Sequence, residues 1–161
     1  MVISMRRKDR EVTKINEITN ILDMCKTACI AMIDEGAPYI VPLSYGYEWK
    51  GDCLELYFHC AKEGRKLEIL KHNNNVCFTI FSEGEPLYAE SPCNSGYYFS
   101  SIIGNGVVEL IEDPGEKNHA LQRMFAHQAG KKAEFTEAQM DSVCVFKIVT
   151  RDYTGKRKAK I

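Results

Sequence analysis

Leu54-Glu55-Leu56-Tyr57-Phe58-His59-Cys60-Ala61-Lys62-Glu63-Gly64-Arg65-Lys66-Leu67 changes period in mid-stretch, and the change decides how the chain is read. Leu54, Leu56 and Phe58 alternate, as in a strand with one buried face. Cys53–His59 is therefore predicted as a strand. From Ala61 to His72 the repeat moves from two residues to about 3.6, with Leu67, Ile69 and Leu70 as the apolar stripe of a short helix. A strand ends at His59, and the helix after it opens with Lys62, Arg65 and Lys66.

Outward from this junction the pattern stays strand-rich. Thr27–Ile33 is a short apolar run, Asp34-Glu35-Gly36 a turn, and Ala37–Trp49 one strand with Tyr39, Val41, Leu43, Tyr45 and Tyr47 in alternation. Pro42 lies inside that run and cannot donate to a ladder, so an edge, a bulge or a break is expected there. Val76–Phe81 is a further strand. Residues 82–96 read as loop, with a short strand around Leu87–Ala89. Tyr97–Ile111 is a long strand with a bulge or bend at Gly104 and Gly106. Asp113-Pro114-Gly115-Glu116 reads as a helix start, the helix running to about Gln128 and ending near Gly130. After a short turn at 136–140, the last strand covers Ser142–Thr150 or beyond. Asn16 is expected to cap a helix through Lys26.

Most strand neighbours are joined by turns too short for a parallel crossover. About six strands with interspersed helices therefore favour a mostly antiparallel barrel, mainly β with peripheral helices, over a doubly wound sheet. No repeat or linker divides residues 1–161, which are read as one domain.

Composition sets the outer limits. At 45% hydrophobic and 27% charged, the 161 residues match a globular chain and exclude a collagen-like or disordered one. Lys and Arg number 21 against 22 Asp and Glu, a net charge of −1 that gives no field toward nucleic acid or a membrane. No apolar run is long enough to span a bilayer. The start, Met1-Val2-Ile3-Ser4-Met5-Arg6-Arg7-Lys8, places its basic residues after the apolar ones, the reverse of a signal peptide. The expectation is a cytoplasmic protein. Seven cysteines include no C-x-x-C pair, and Cys25 with Cys29 finds no second pair to complete a zinc site. They read as reduced core thiols, and no metal is expected.

Two readings fit the cations at 62–66. A helix N-terminus offers free N–H groups and a positive dipole end, where cations make sense beside an anion such as a phosphate. A solvated basic face fits equally well. His59 alone reads as a hydrogen-bonded strand-end histidine. A His59/Cys60 nucleophile pair is not expected, because adjacent strand residues point to opposite faces. The sequence contains no H-E-x-x-H, G-x-S-x-G or Walker loop, and Gly104-Asn105-Gly106 is no dinucleotide fingerprint.

Four blocks taken together resemble the pyridoxamine 5'-phosphate oxidase-like superfamily of small flavin proteins, and within it the nitroimidazole-resistance (Nim) group. They are Met5-Arg6-Arg7-Lys8-Asp9-Arg10-Glu11, Tyr39-Ile40-Val41-Pro42-Leu43-Ser44-Tyr45-Gly46-Tyr47, Leu56 through Lys66, and Ser101-Ile102-Ile103-Gly104-Asn105-Gly106. The resemblance implies an FMN-binding split barrel, usually a homodimer with flavin at the subunit interface. It implies that Lys62, Arg65 and Lys66 include the FMN phosphate ligands, and that Pro42, Leu43, Ser44 and Tyr45 line the ring system through backbone contacts. It implies that His59 lies beside flavin and substrate, and that Ser101 approaches from the later strands. Ser100 departs from the pattern, standing where related sequences commonly carry an arginine.

The function so implied is an FMN-dependent oxidoreductase. It would pass electrons from NADH or NADPH to a small oxidised acceptor, a nitroaromatic such as a nitroimidazole. The rival reading is a flavin- or haem-binding carrier, sensor or stress protein without turnover.

Overall fold

The computed structural model describes residues 5–160; Met1–Ser4, and with them part of the reading of the chain's start, lie outside the described residues. Among the described residues eight strands are present: β1 (Glu11–Val12), β2 (Thr27–Asp34), β3 (Ala37–Ser44), β4 (Gly46–Lys50), β5 (Cys53–Cys60), β6 (Asn75–Leu87), β7 (Gly96–Leu110) and β8 (Cys144–Lys158). Four helices accompany them: α1 (Ile15–Met24), α2 (Arg65–His72), α3 (Pro114–Ala129) and α4 (Glu137–Asp141). All strand pairings are antiparallel, in the order β3-β2-β6-β7-β8-β5-β4, with β1 added to β8.

The expected six strands become eight for two reasons. Ala37–Trp49 divides at Tyr45 into β3 and β4, and Glu11–Val12 pairs with Lys156 and Gly155. β3 and β4 are consecutive in the chain yet stand at opposite ends of the strand order. The sheet thus curls back on itself through a peptide linkage rather than a ladder, and the barrel is split. Pro42 lies on β3, an edge strand, which is how the ladder tolerates it.

Other differences are local. β6 continues through Gly84 to Leu87, with a register shift between Glu83 and Pro86, instead of ending at Phe81. The expected bulge on β7 occurs between Asn105 and Val107. Asn16 lies inside α1; Lys14 is the cap, without a side-chain bond. Asp113 caps α3 as read, accepting from the Glu116 N–H at 2.9 Å, and Gly130 ends it at φ 66°.

The barrel interior is filled by alternate residues of β2, β5, β6 and β8, among them Ile30, Phe58, Phe78, Ile80 and Phe146, and by Ile18, Ile21 and Leu22 of α1. α2 contributes Leu67, Ile69 and Leu70 to the same core. A smaller cluster on the other face of β5 and β8 joins Tyr57 and Val145 to Ala120, Leu121 and Met124 of α3. Among the described residues no helix is long and apolar enough to cross a membrane.

Candidate functional site

Strand alternation divides β5 between two environments. Phe58 is fully buried and stacks on Phe146 with ring centroids 5.2 Å apart. Tyr57 and His59 point the other way, onto the face that α3 crosses. The helix comes very close here: a Cβ on Gly46 would fall 2.6 Å from the Met124 backbone. α4 follows, held at its start by a capping box between Thr136 and Gln139.

Between these helices and the strand ends lies a pocket of about 430 Å³. Its walls are Leu121, Met124, Phe125, Phe135 and Val143, and its polar groups come from His59, Ser44, Gln128 and Gln139. Neither a carboxylate nor a lysine or arginine lines it. His59 and Ser44, both singled out in the sequence, therefore share one cavity. The apolar spacing of α3 and α4 reads equally well as core, so nothing in the sequence marks Leu121, Met124, Phe125 or Phe135 as pocket walls; only the fold shows that Phe125 is 39% exposed.

A polar clamp fixes the corner where β3 becomes β4. Tyr45 is wholly buried, and its hydroxyl donates toward the carbonyls of Leu22 (2.7 Å) and Cys25 (3.1 Å). Burial raises its pKa, and that of Tyr47, whose hydroxyl donates to Asp23 at 2.6 Å. From α3, Gln128 donates to the Tyr45 carbonyl at 2.7 Å and Arg123 to the Tyr47 carbonyl at 2.8 Å. His127 packs against Tyr45 and contacts the Cys25 carbonyl at 2.8 Å; burial lowers its pKa. Tyr45 can thus offer a ligand little, with its side chain in the core and its carbonyl taken.

The three cations after β5 differ in circumstance. α2 begins at Arg65, so Lys62 precedes the helix rather than opening it. Arg65 donates to Asp34 at 2.8 Å and its guanidinium lies 4.4 Å from the centre of the Tyr39 ring. Neither Lys62 nor Lys66 forms an ion pair among the described residues. Burial pushes the Cys60 thiol pKa up, and the Lys66 charge opposes that rise.

The remaining expected residues sit on the sheet's outward face or behind it. Pro42 and Ser44 point outward, and Leu43 inward against the core. Ser101 pairs with Phe81 and Lys156. β7 lies three ladder spacings from β3, about 14 Å. Ser101 is absent from the lining of the His59 pocket. Ser100 is only 5% exposed and stands opposite Arg157, whose guanidinium pairs with Glu17 on α1. The position thus faces the barrel interior, where a cation is already supplied from β8. No cluster of three or more metal-ligating side chains occurs among the described residues.

A polar cavity of about 400 Å³ lies under the start of α3. Tyr57 donates toward Glu55 (2.7 Å) and Glu48 (3.1 Å), Lys147 pairs with Glu55 at 3.2 Å, and Lys50 and His119 meet Glu48 at 2.7 and 2.9 Å.

Comparison with known proteins gives one family and many similar folds. The model of the family described as Pyridoxamine 5'-phosphate oxidase matches residues 14–157. A candidate 5-nitroimidazole antibiotic resistance protein from Bacteroides thetaiotaomicron is 32% identical, with 91% of this chain and 86% of that chain covered and a TM-score of 0.80. The FAD and heme binding protein of Mycobacterium smegmatis is 18% identical over 94% of this chain and 74% of that one, with a TM-score of 0.80. The flavocytochrome Anf3 of Azotobacter vinelandii is 20% identical over 99% and 74%, again at 0.80. At those identities the last two show a shared fold. No curated protein matches the sequence.

Proposed function

Since the chain belongs to the pyridoxamine 5'-phosphate oxidase family, we propose that it is an FMN-dependent oxidoreductase. In this reading it carries electrons from NADH or NADPH to a small oxidised acceptor, a nitroaromatic such as a nitroimidazole. The observation that carries the reading is His59: its imidazole opens into an apolar pocket lined by no carboxylate, lysine or arginine, one short segment away from Lys62 and Lys66.

The donor set fits a flavin nucleotide. Lys62 and Lys66, without ion pairs among the described residues, can neutralise a phosphate, and the outward side of Pro42 and Ser44 leaves room for a flat ring. When bound, FMN accepts a hydride and delivers electrons. The chain's own residues do the rest. Phe125, Phe135 and Met124 exclude water and grip an aromatic acceptor. Gln139, whose amide oxygen alone is engaged, offers amide donors to polar substituents of that acceptor, whereas both Gln128 N–H groups are taken by the Lys26 and Tyr45 carbonyls. His59 supplies the proton that an acceptor needs as it gains electrons. A phosphorylated acceptor finds no cation in the pocket, which disfavours pyridoxamine phosphate.

The active form is a homodimer. Ile33, Ile40, Phe81, Tyr97 and Ile103 are between 50% and 64% exposed, and all lie on the outward face of β2, β3, β6 and β7. Such a face needs a cover, and a second copy offers the same patch in return.

The test is spectroscopic. The purified protein should show flavin absorption, bleach with NADH or NADPH under anaerobic conditions, and recover colour when a nitroimidazole is added. A Soret band without flavin, or flavin that no nicotinamide reduces, would overturn the reading in favour of a haem protein or a carrier. Sedimentation as a single chain of about 18 kDa would remove the dimer.

A further inference from the structure

Cys60 ends β5 and Cys144 begins β8, and the two are direct partners across the antiparallel ladder. Both belong to the barrel's inner face, with Phe58 and Phe146 the stacked pair just below them. Opposed residues of such a ladder have Cα atoms about 4.5–5.5 Å apart, within the roughly 4.4–6.8 Å that a disulfide spans. The thiols feel one another: burial chiefly raises the Cys60 pKa, Lys66 opposes this, and the neighbouring Cys144 thiol adds to it. Cys60 is 7% exposed, whereas Cys144 is partly open to solvent. None of the other strand cysteines stands opposite a cysteine: Cys29 faces Pro42 and Thr79, Cys53 faces Lys50, and Cys77 faces Ala31 and Asn105. All seven thiols are free in this structure.

We propose that Cys60 and Cys144 form a redox couple that a hydroperoxide converts to a cross-strand disulfide. Cys144, the accessible member, attacks the peroxide as its thiolate. The O–O bond breaks, Cys144 becomes a sulfenic acid, and the departing hydroxide takes up the thiol's proton as water. The Cys60 sulfur then attacks the Cys144 sulfur, the S–O bond breaks, and a second water leaves. Two thiols lose two electrons and two protons, and one hydrogen peroxide gains both. The ladder holds the second thiol in place, so the closing step is intramolecular and outruns the slow chemistry of a buried thiol.

The bond would tie together the two strand ends that carry the pocket. His59 precedes Cys60 and Val143 precedes Cys144, and both line the cavity beneath α3 and α4. Oxidation would thus stiffen the floor on which the ligand rests. The proposal is independent of whether the pocket serves a reductase or a carrier.

The experiment uses the full chain carrying Cys93→Ser, which removes the exposed thiol. Treatment with hydrogen peroxide, alkylation of remaining thiols and non-reducing peptide mapping should show Cys60 joined to Cys144. The protein should lose two hydrogen atoms of mass, and dithiothreitol should restore both. In the Cys60→Ser variant the reaction should stop at a sulfenic acid on Cys144 that dimedone traps. Two alkylatable thiols at 60 and 144 after excess peroxide would overturn the proposal, whether or not other cysteines are oxidised. So would bonds from either residue to a different cysteine in the folded protein.

Discussion

Glu48 Oε2 and His119 Nε2 lie 2.9 Å apart, joining β4 to α3 across seventy-one residues of sequence. The same oxygen meets Lys50 at 2.7 Å, and the Tyr57 hydroxyl reaches it at 3.1 Å. Burial by itself would raise this carboxyl's pKa; the bonds from Lys50, His119 and Tyr57 together outweigh it and hold the pKa at about 2, against 4.5 in an unconstrained chain. The folded state is therefore favoured above pH 4.5, and the advantage drains away as pH falls toward 2. Lys50 and His119 are half exposed, so solvent screening leaves about 1–2 kcal/mol of this at neutral pH. Glu48→Gln should lower the neutral melting temperature and flatten the acid limb of a stability–pH curve. An acid limb of unchanged slope would show that Glu48 does not carry it.

His59→Ala should leave folding within about 0.5 kcal/mol of the parent, because the side chain is exposed at a strand end. Flavin absorption should also survive. Reoxidation of the anaerobically reduced protein by a nitroimidazole should slow about 10²–10⁴-fold, the usual loss with a general acid. An unchanged rate would leave His59 a structural residue, and lost flavin would make it a cofactor ligand.

Lys66→Ala should weaken FMN far more than riboflavin, which has no phosphate to lose. A charge-assisted hydrogen bond is worth about 1.5–3 kcal/mol, roughly a ten- to hundredfold change in Kd. Adding Arg65→Ala should deepen the loss only a little, because Arg65 is committed to Asp34 and Tyr39. Titration of the apoprotein with both flavins separates these outcomes; equal loss for FMN and riboflavin would remove the cations from the phosphate site.

Gly46→Ala should destabilise the protein by about 1–3 kcal/mol, the range for forcing extra volume into a packed contact. The new methyl would meet the backbone of Met124, which cannot turn aside as a side chain can. Thermal melting measures the loss. A melting temperature equal to the parent's would mean that α3 rides on β4 with slack.

The residues that alternate cleanly told the most from sequence. Phe58 inward and His59 outward follow from two-residue periodicity alone, and so does the placement of Tyr57 with His59. What escaped is tertiary in cause. Tyr39 to Tyr47 alternate without interruption, so nothing local marks the break at Tyr45; it exists because the hydroxyl is bonded to Leu22 and Cys25, far upstream. Gly84 and Pro86 read as loop residues, yet a register shift between Glu83 and Pro86 lets the ladder resume at Pro86 and run on to Leu87. β1 is two residues long and owes its existence to β8. In the pocket, His59 and Ser44 were legible through a resemblance, whereas Gln128 and Gln139 were hidden in ordinary helical sequence.

The outer rim of β3 carries Pro38 and Pro42, four residues apart on one side of the strand. Within a ladder each must turn its ring nitrogen away from β2, so that rim lacks an amide hydrogen at both places. A foreign strand laid along it would meet gaps in the row of donors, and cross-β growth would stall after a residue or two. The sheet thus leaves its β3 border open while denying it to the chains that would polymerise there.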